Sequence, residues 1–321
     1  MKTLAVVCPV YNEAAVIEAF YDELKRVLLS VEPHYATRIM FVVDRSEDAT
    51  LSILERIAAV DRSVQVLALS SRFGHQMSLL AGIDHADADA IIMMDSDLQH
   101  PPKILPRLLA EFENGCEIVH TLREDSPEVS WFKRVTSRMF YHLINMISDV
   151  QIMPNAADFR LISRRVADVF KTRIRERNQF LRGLFGWVGF RAATVPFRVQ
   201  PRRAGATKYS IHRMVRFGLD GVVSFSKSPL QAATLFGFVF AALGFVLALL
   251  TIAQSLRGSR FPSGWATLIV LSAILSGTQL ICLGIIGEYL AAIFDEVKQR
   301  PHYLVERAIN VEASETGAPA R

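Results

Sequence analysis

Residues 91–102 read Ile-Ile-Met-Met-Asp-Ser-Asp-Leu-Gln-His-Pro-Pro. Four apolar residues without polar alternation are the mark of a strand buried on both faces, as in a parallel sheet with helices on each side. Asp95 and Asp97, separated by Ser96, fall where that strand leaves the sheet, and Pro101 and Pro102 prevent it from continuing. Open α/β sheets bind ligands at the carboxyl ends of their strands. Two carboxylates one residue apart can converge on one hard divalent cation, which keeps some waters and takes its other ligands from substrate phosphates. The stretch therefore reads as a metal-diphosphate site, the alternative being an acidic surface turn after a strand.

The flanking sequence extends the pattern. A strand over 4–10 ends in Val-Tyr-Asn-Glu, and 14–31 reads as a helix with Val16, Ile17, Phe20, Leu24, Val27 and Leu28 on one face. A second strand, 38–43, delivers Asp44 at its end, and Asp48, Ala49 and Thr50 open a helix that runs through Val60. A third strand over 64–69, a helix over 76–85 and the strand 90–94 complete a β-α alternation that implies a doubly wound, mostly parallel sheet. The ends at 9–13, Asp44 and Asp95 to Asp97 then share one rim. Beyond Pro106 the pattern becomes more helical. Residues 133–147 place Val135, Met139, Leu143 and Met146 on one face near Lys133, Arg134 and Arg138, which suits a helix lying on a membrane surface or one packed on the sheet. Residues 210–227 set Ile211, Met214, Val215, Leu219 and Val222 against His212, Arg213 and Arg216, and read as an interfacial amphipathic helix. Residues 312–321 form a polar, Ala-rich tail expected to be disordered.

A hydrophobic content of 51% and a mean hydropathy of +0.25 are high for a soluble chain of 321 residues. They trace to residues 229–252 and 265–287, neither of which carries a charge. Each is long enough to cross roughly 30 Å of hydrocarbon as a helix. The short linker between them, with Arg257, Gly258, Arg260, Pro262 and Gly264, makes a transmembrane hairpin whose two ends lie on one side. That side is expected to be the cytosol: the apolar run over 4–10 is too short for a secretory h-region, and Cys8, Cys116 and Cys282 have neither metal nor disulfide spacing. The net charge of +4 is unevenly spread, with sixteen Lys or Arg against three acids between Arg160 and Lys227. A basic surface beside a membrane attracts anionic headgroups and anionic lipid substrates. No nucleic-acid reader motif accompanies it, so nucleic acid is not an expected partner.

Several motifs in order carry a resemblance: Pro-Val-Tyr-Asn-Glu at 9–13, the Asp44 strand end, Met-Asp-Ser-Asp-Leu-Gln at 94–99, Asp-Phe-Arg-Leu at 158–161, Arg-x-x-Gly-x-Thr-Lys-Tyr at 202–209, and Gly-Glu-Tyr-Leu with Arg-Pro-x-Tyr within 287–303. They resemble the inverting family-2 glycosyltransferases, and more narrowly the polyprenyl-phosphate glycosyltransferases of the dolichol-phosphate-mannose-synthase-like group, which includes bactoprenol glucosyltransferases. The resemblance covers residues 4 to about 306. It implies a GT-A catalytic domain over 1–209, an interfacial helix over 210–228, a transmembrane hairpin over 229–293 and a cytosolic tail over 294–321, in a bacterial inner membrane with both termini cytosolic.

The same resemblance implies a nucleoside-diphosphate sugar, UDP-glucose being favoured, held at its base and ribose by Pro9, Tyr11, Glu13 and Asp44. Asp95, Asp97 and Gln99 would hold Mg²⁺ or Mn²⁺ on the diphosphate. The acceptor would be undecaprenyl phosphate, met by Arg123, Arg134, Arg202 and Lys208 with Ser137. Asp158 would orient acceptor or sugar, act in the chemistry, or pair with an arginine. The chain departs from the family pattern at Val43 and Arg45, at Arg72 and His75 around Phe73-Gly74, and at Val199. Alternatives are the same reaction with mannose, an N-acetylhexosamine or aminoarabinose, a processive polysaccharide synthase, or an inactive membrane scaffold. Gly237, Gly244, Gly277 and Gly284 in the apolar spans suit close helix contact in a homo-oligomer.

Overall fold

A computed structural model describes residues 1–124, 156–177, 179–198, 226–256 and 264–311. The amphipathic segments 133–147 and 210–225, the linker between the apolar spans and the tail 312–321 lie outside the described residues, as do Arg134, Ser137, Arg202 and Lys208.

The four expected strands form, as β1 (Lys2–Val10), β2 (Tyr35–Val43), β3 (Val64–Leu69) and β4 (Ala90–Met93). They alternate with α1 (Ile17–Val31), α2 (Thr50–Val60) and α3 (His75–His85). β1 pairs parallel with β2 and β4, and β2 with β3. After α4 (Leu105–Glu113) come β5 (Ile118–Arg123) and β6 (Ala156–Ser163), then α5 (Arg164–Thr172), α6 (Leu181–Trp187) and β7 (Ala192–Phe197). A last strand, β8 (Val305–Ile309), joins the same sheet, whose order is β7-β5-β6-β4-β1-β2-β3-β8.

One sequence expectation is refined here and one is corrected. The sheet is mixed, because β6 runs antiparallel to both β4 and β5 and β8 antiparallel to β3. The other six strands, β1 to β5 and β7, run the same way, so the α/β, GT-A-type, mostly parallel reading stands with two reversed strands. Residue 294, by contrast, does not begin a tail: the chain from Tyr303 to Asn310 is bound into the domain. Asn310 donates from Nδ2 to the carbonyls of Ala58 and Val64, and Tyr303 donates from its hydroxyl to Asp84 Oδ2 at 2.8 Å.

The sheet is covered on both faces. One face buries Phe20, Leu24 and Leu28 of α1, Leu54 of α2 and Leu105 and Leu108 of α4. These fall at helical spacing, and Phe20 meets Phe41 of β2 edge to face with centroids 6.3 Å apart. The other face buries Leu79 and Ile83 of α3, Val166 and Phe170 of α5 and Leu184 and Phe185 of α6. On that side Gly82 lets α3 approach β1 so closely that a Cβ there would stand 2.1 Å from Val7 Cγ1.

Both apolar stretches form long helices, α7 (Ser228–Leu256) and α8 (Trp265–Val297). At 1.5 Å per residue the 29 residues of α7 run about 43 Å. Among the described residues, one stretch, Ser228–Leu247, is long and apolar enough to cross a membrane, with a mean hydropathy of 2.1. The two helices meet through Cys282 Sγ, 3.8 Å from the Ala233 carbonyl, and just before α7 the Ser226 carbonyl accepts from the Tyr289 hydroxyl at 2.6 Å. Large apolar side chains on both, among them Phe238, Phe245, Leu280 and Ile281, are exposed. Gly237, Gly244, Gly277 and Gly284 have open space where a Cβ would be, so they do not mediate this contact.

Candidate active site

The carboxyl ends of β1, β2 and β4 converge on one rim with the amino end of β6. At β1, Asn12 adopts φ 55°, and its N–H donates to Ser46 Oγ while its Oδ1 accepts from Glu47 N–H. The Glu13 carbonyl accepts the first free N–H groups of α1, from Val16 and Ile17. Tyr11 carries the Arg72 guanidinium over its ring at 4.1 Å, a cation–π contact. At β2, Asp44 is buried, and its two oxygens accept main-chain N–H groups from Phe73 at 2.7 Å and Gly74 at 3.0 Å. It thereby fixes the loop that leads into α3. Gly74 itself needs its φ of 95°, a value an L side chain adopts only with strain.

At β4 the turn is held from beneath: buried Ser96 donates from Oγ to the Pro9 carbonyl at 3.1 Å. Leu98 takes φ 63° and Gln99 donates its N–H to Asp97 Oδ1 at 3.0 Å, an Asx turn. Asp95 accepts from His75 Nε2 at 2.7 Å. Its own N–H donates to His100 Nδ1 at 3.0 Å, which assigns that nitrogen as the unprotonated one. His100 is wholly buried, stacked on Phe159 at 5.2 Å, and its Nε2 has no partner among the described residues. Burial keeps its pKa below the ordinary histidine value. Burial would also push the Asp95 carboxyl up, but the His75 imidazole that donates to it and the charge of Arg123 hold it well below the usual carboxylate range. For His75 burial acts downward and loses to Asp95, which lifts the imidazole to about 9.

At β6, Asp158 receives a two-pronged grip from Arg182 at the start of α6, Nε to Oδ1 at 2.8 Å and Nη2 to Oδ2 at 2.7 Å. The buried Arg160 brings Nη2 within 3.5 Å of Asp158 Oδ1, donates to the Ala157 carbonyl at 3.0 Å, and lies over Phe185 at 4.5 Å. Burial tends to raise the Asp158 pKa, and Arg182, Arg160 and His75 together hold it below the ordinary value. Arg123 ends β5 on this rim and adds its charge to Asp95 and His100.

The structure thus brings Asp95, Arg123 and Asp158 of the sequence-derived set into one electrostatic cluster. Pro9 is tied to it through Ser96 and Asp44 through the Gly74 loop. Four groups that sequence reasoning gave no role complete the cluster. His75 stood out only as a departure from the family pattern, and Arg182 only as part of Gln179-Phe180-Leu181-Arg182. Arg160 lay within Asp-Phe-Arg-Leu, and nothing in the sequence marked His100. Among the described residues no three His, Cys, Asp or Glu side chains form a metal-holding group. The donor set still fits a hard divalent cation: Asp95 is kept ionised, Asp97 stands one residue beyond Ser96, and an amide oxygen follows at Gln99. These are oxygen donors that leave room for water and ligand oxygens to complete the shell.

Residues 5–170 match the family described as Glycosyl transferase family 2. Over 308 residues the chain is 37% identical to the uncharacterized glycosyltransferase YkcC of Bacillus subtilis, covering 96% of this chain and 94% of that one. It is 38% identical to the uncharacterized glycosyltransferase sll0501 of Synechocystis, covering 94% of each. It is 36% identical to the SfII prophage-derived bactoprenol glucosyl transferase of Shigella flexneri, covering 95% of this chain and 98% of that one.

Proposed function

The chain belongs to glycosyl transferase family 2 and is a glycosyltransferase, and from that premise we propose that it moves one sugar from a nucleoside diphosphate to a polyprenyl phosphate. UDP-glucose is the favoured donor and undecaprenyl phosphate the acceptor, met at the cytosolic face of a bacterial inner membrane. The observation that carries this reading is the extent of the likeness to the bactoprenol glucosyl transferase, which spans the helix pair as well as the sheet.

The acceptor oxygen attacks the anomeric carbon, the bond to the nucleoside diphosphate breaks, and a single displacement inverts that centre. Pro9, Tyr11, Glu13 and Asp44 border the nucleoside. Asp95, Asp97 and Gln99 would hold Mg²⁺ or Mn²⁺, which when bound neutralises charge developing on the departing diphosphate. Arg123, with Arg134, Ser137, Arg202 and Lys208, receives the acceptor phosphate. That phosphate is already an anion near neutral pH, so its attack needs no strong base. The low proton affinity of Asp158 suits this: it serves as a fixed anion that orients Arg182 and the reactants around it.

The helix pair forms a membrane hairpin with both ends at the catalytic domain, a reading supported by the return of β8 to the sheet directly after α8. A cysteine placed at position 259 should then react with an impermeant reagent from the periplasmic side and one at position 314 should not. Equal protection of both would remove the hairpin. The open glycines of α7 and α8 are available for contacts between copies, which crosslinking in membranes would report.

The reaction itself is tested by incubating membranes that contain the protein with undecaprenyl phosphate and labelled UDP-glucose, UDP-N-acetylglucosamine, GDP-mannose or an aminoarabinose donor. The expected outcome is label in a lipid carrying one sugar. Label in a long polymer would point to a synthase, and release of free sugar alone would remove the lipid acceptor.

A further inference from the structure

We infer that Arg177 is a positioning residue for the Asp158–Arg182 pair and ties that pair to the end of α8; this rests on the reading of the pair as part of the transfer site. The chain between α5 and α6 is fastened on two sides. Toward α8, the Arg177 main-chain N–H donates to Glu296 Oε2 at 2.6 Å, and its Nη1 donates to the Pro301 carbonyl at 2.9 Å. Glu296 lies in the last turn of α8, and Pro301 directly follows that helix. Two residues earlier, Arg175 binds both oxygens of Asp84 at 2.8 and 2.9 Å, and the Tyr303 hydroxyl donates to one of them. Toward the site, the Leu181 N–H donates to Gln76 Oε1 at 3.2 Å, and the next residue, Arg182, grips Asp158.

Residues 179–181, which lead into Arg182, have little slack. Gln179, Phe180 and Leu181 are all buried, and Gln179 Nε2 closes back on the Ile174 carbonyl at 3.1 Å. Packed side chains of this kind pass a displacement on because close-packed interiors do not absorb it. A two-pronged arginine–carboxylate contact is demanding in geometry, and misplacing a reacting constellation by about 1 Å can cost about a hundredfold in rate. Arg177 therefore acts on the reaction through Arg182, five residues along the chain, and the end of the membrane helix becomes part of what sets the site. The arrangement also gives Tyr303 a role: it anchors the chain that leaves α8 to the same Asp84 that holds Arg175.

The test uses the full chain in detergent micelles with undecaprenyl phosphate and UDP-glucose, replaced by GDP-mannose or UDP-N-acetylglucosamine should the panel above select one of these. Arg177→Ala should lower kcat about tenfold while KM for the nucleotide sugar stays within about twofold. Arg177→Lys, whose ammonium can still donate to the Pro301 carbonyl, should recover at least half the activity. The double variant Arg177→Ala/Arg182→Ala should be no slower than Arg182→Ala alone, since residues that act through one another are not additive. Unchanged kcat per folded Arg177→Ala molecule, or losses that multiply in the double variant, would overturn the inference while leaving the site intact. A normal rate for Arg182→Ala would instead remove the Asp158–Arg182 pair from the transfer site, and the inference with it.

Discussion

The half of the sheet built from β1 to β4 and the half built from β5 to β7 bring acidic side chains to the same rim and hold them by different means. In the first half, Asp95 and Asp97 ride on a turn beyond β4. One is countered by a histidine and the other folded into an Asx turn, with Ser96 pinning the backbone beneath. In the second half, Asp158 sits within β6 and is gripped by Arg182 and Arg160, groups that stay charged across the working pH range. A carboxylate on a turn, whose direct side-chain donor among the described residues is a half-exposed imidazole, can exchange that donor for a cation. A carboxylate already saturated by guanidinium groups is better suited to fixing geometry. The two acidic positions should therefore respond differently to the same chemical change.

The largest effect expected is from Asp97→Asn. Because Asp97 lies on the turn and outside the core, the variant should melt as the parent does while turnover falls a hundredfold or more, about 2.7 kcal/mol of transition-state stabilisation. Full activity in that variant, or activity that persists in EDTA, would take the cation out of the reaction and erase the distinction between the two halves.

Asp158→Asn should differ in kind. Neutralising it leaves Arg182 and Arg160 without their shared counter-charge in a site where the Asp158 side chain is only 18% exposed. Stability and turnover should fall together, by about 2 kcal/mol and about thirtyfold, below the cost of a fully buried pair because Arg182 keeps some solvent. Calorimetry and steady-state rates on the same preparation check both. A variant that loses turnover with no change in melting would place Asp158 with the turn acids.

How far each half was legible follows from how it is built. β1 to β4 are consecutive β-α units of near-continuous apolar strands, so their periodicity and the polar residues at their ends could be read directly. The second half has no such rhythm. β5 holds His120 and Thr121, and β6 opens Ala-Ala-Asp-Phe-Arg, so neither reads as an apolar run. β8 is Val-Glu-Arg-Ala-Ile on an edge, paired with a strand more than two hundred residues away. Contacts of that kind depend on topology, which local pattern does not carry. The same holds for His75 and Asp95, twenty residues apart and joined because β3 and β4 empty onto one rim. Of the acceptor-side residues read from motifs, Arg123 alone lies among the described residues.

A smaller effect tests the packing beneath the turn half alone. In Gly82→Ala the new methyl would meet Val7 Cγ1, and Val7 is wholly buried and β-branched, with little rotamer freedom to give way. The α3–β1 contact should loosen at a cost of about 1.5 kcal/mol, seen as a lower urea midpoint. Rates per folded molecule should change less than in either acid variant. A neutral result would mean that α3 can shift away from β1 without disturbing His75 or the Gly74 loop.

The smallest effect concerns pH, and here one half should respond and the other should not. The His75 imidazole rises from 6.5 to about 9 in the folded chain, because Asp95 outweighs the effect of burial. A group raised on folding contributes stability that is fully present below its unfolded value, and the contribution is lost as pH rises through the folded one. Asp95 is depressed on folding, so its share is present above 3.8 and lost only as acid protonates it. The His75–Asp95 contact thus contributes most between about pH 4 and 6.5 and weakens toward pH 9. Asp158, held by guanidinium groups, loses nothing over that upper range. The His75 side chain is 44% exposed, so solvent screening should limit the change to under about 1 kcal/mol, roughly 2 °C in melting temperature. The measurement is the melting midpoint from pH 6 to 9.5 for the parent and for His75→Gln, whose amide does not titrate. The parent should lose the extra 2 °C or so over this range. Parallel curves would mean that the histidine does not hold Asp95 in solution, leaving Arg123 as the charge that keeps the turn acid ionised on that rim.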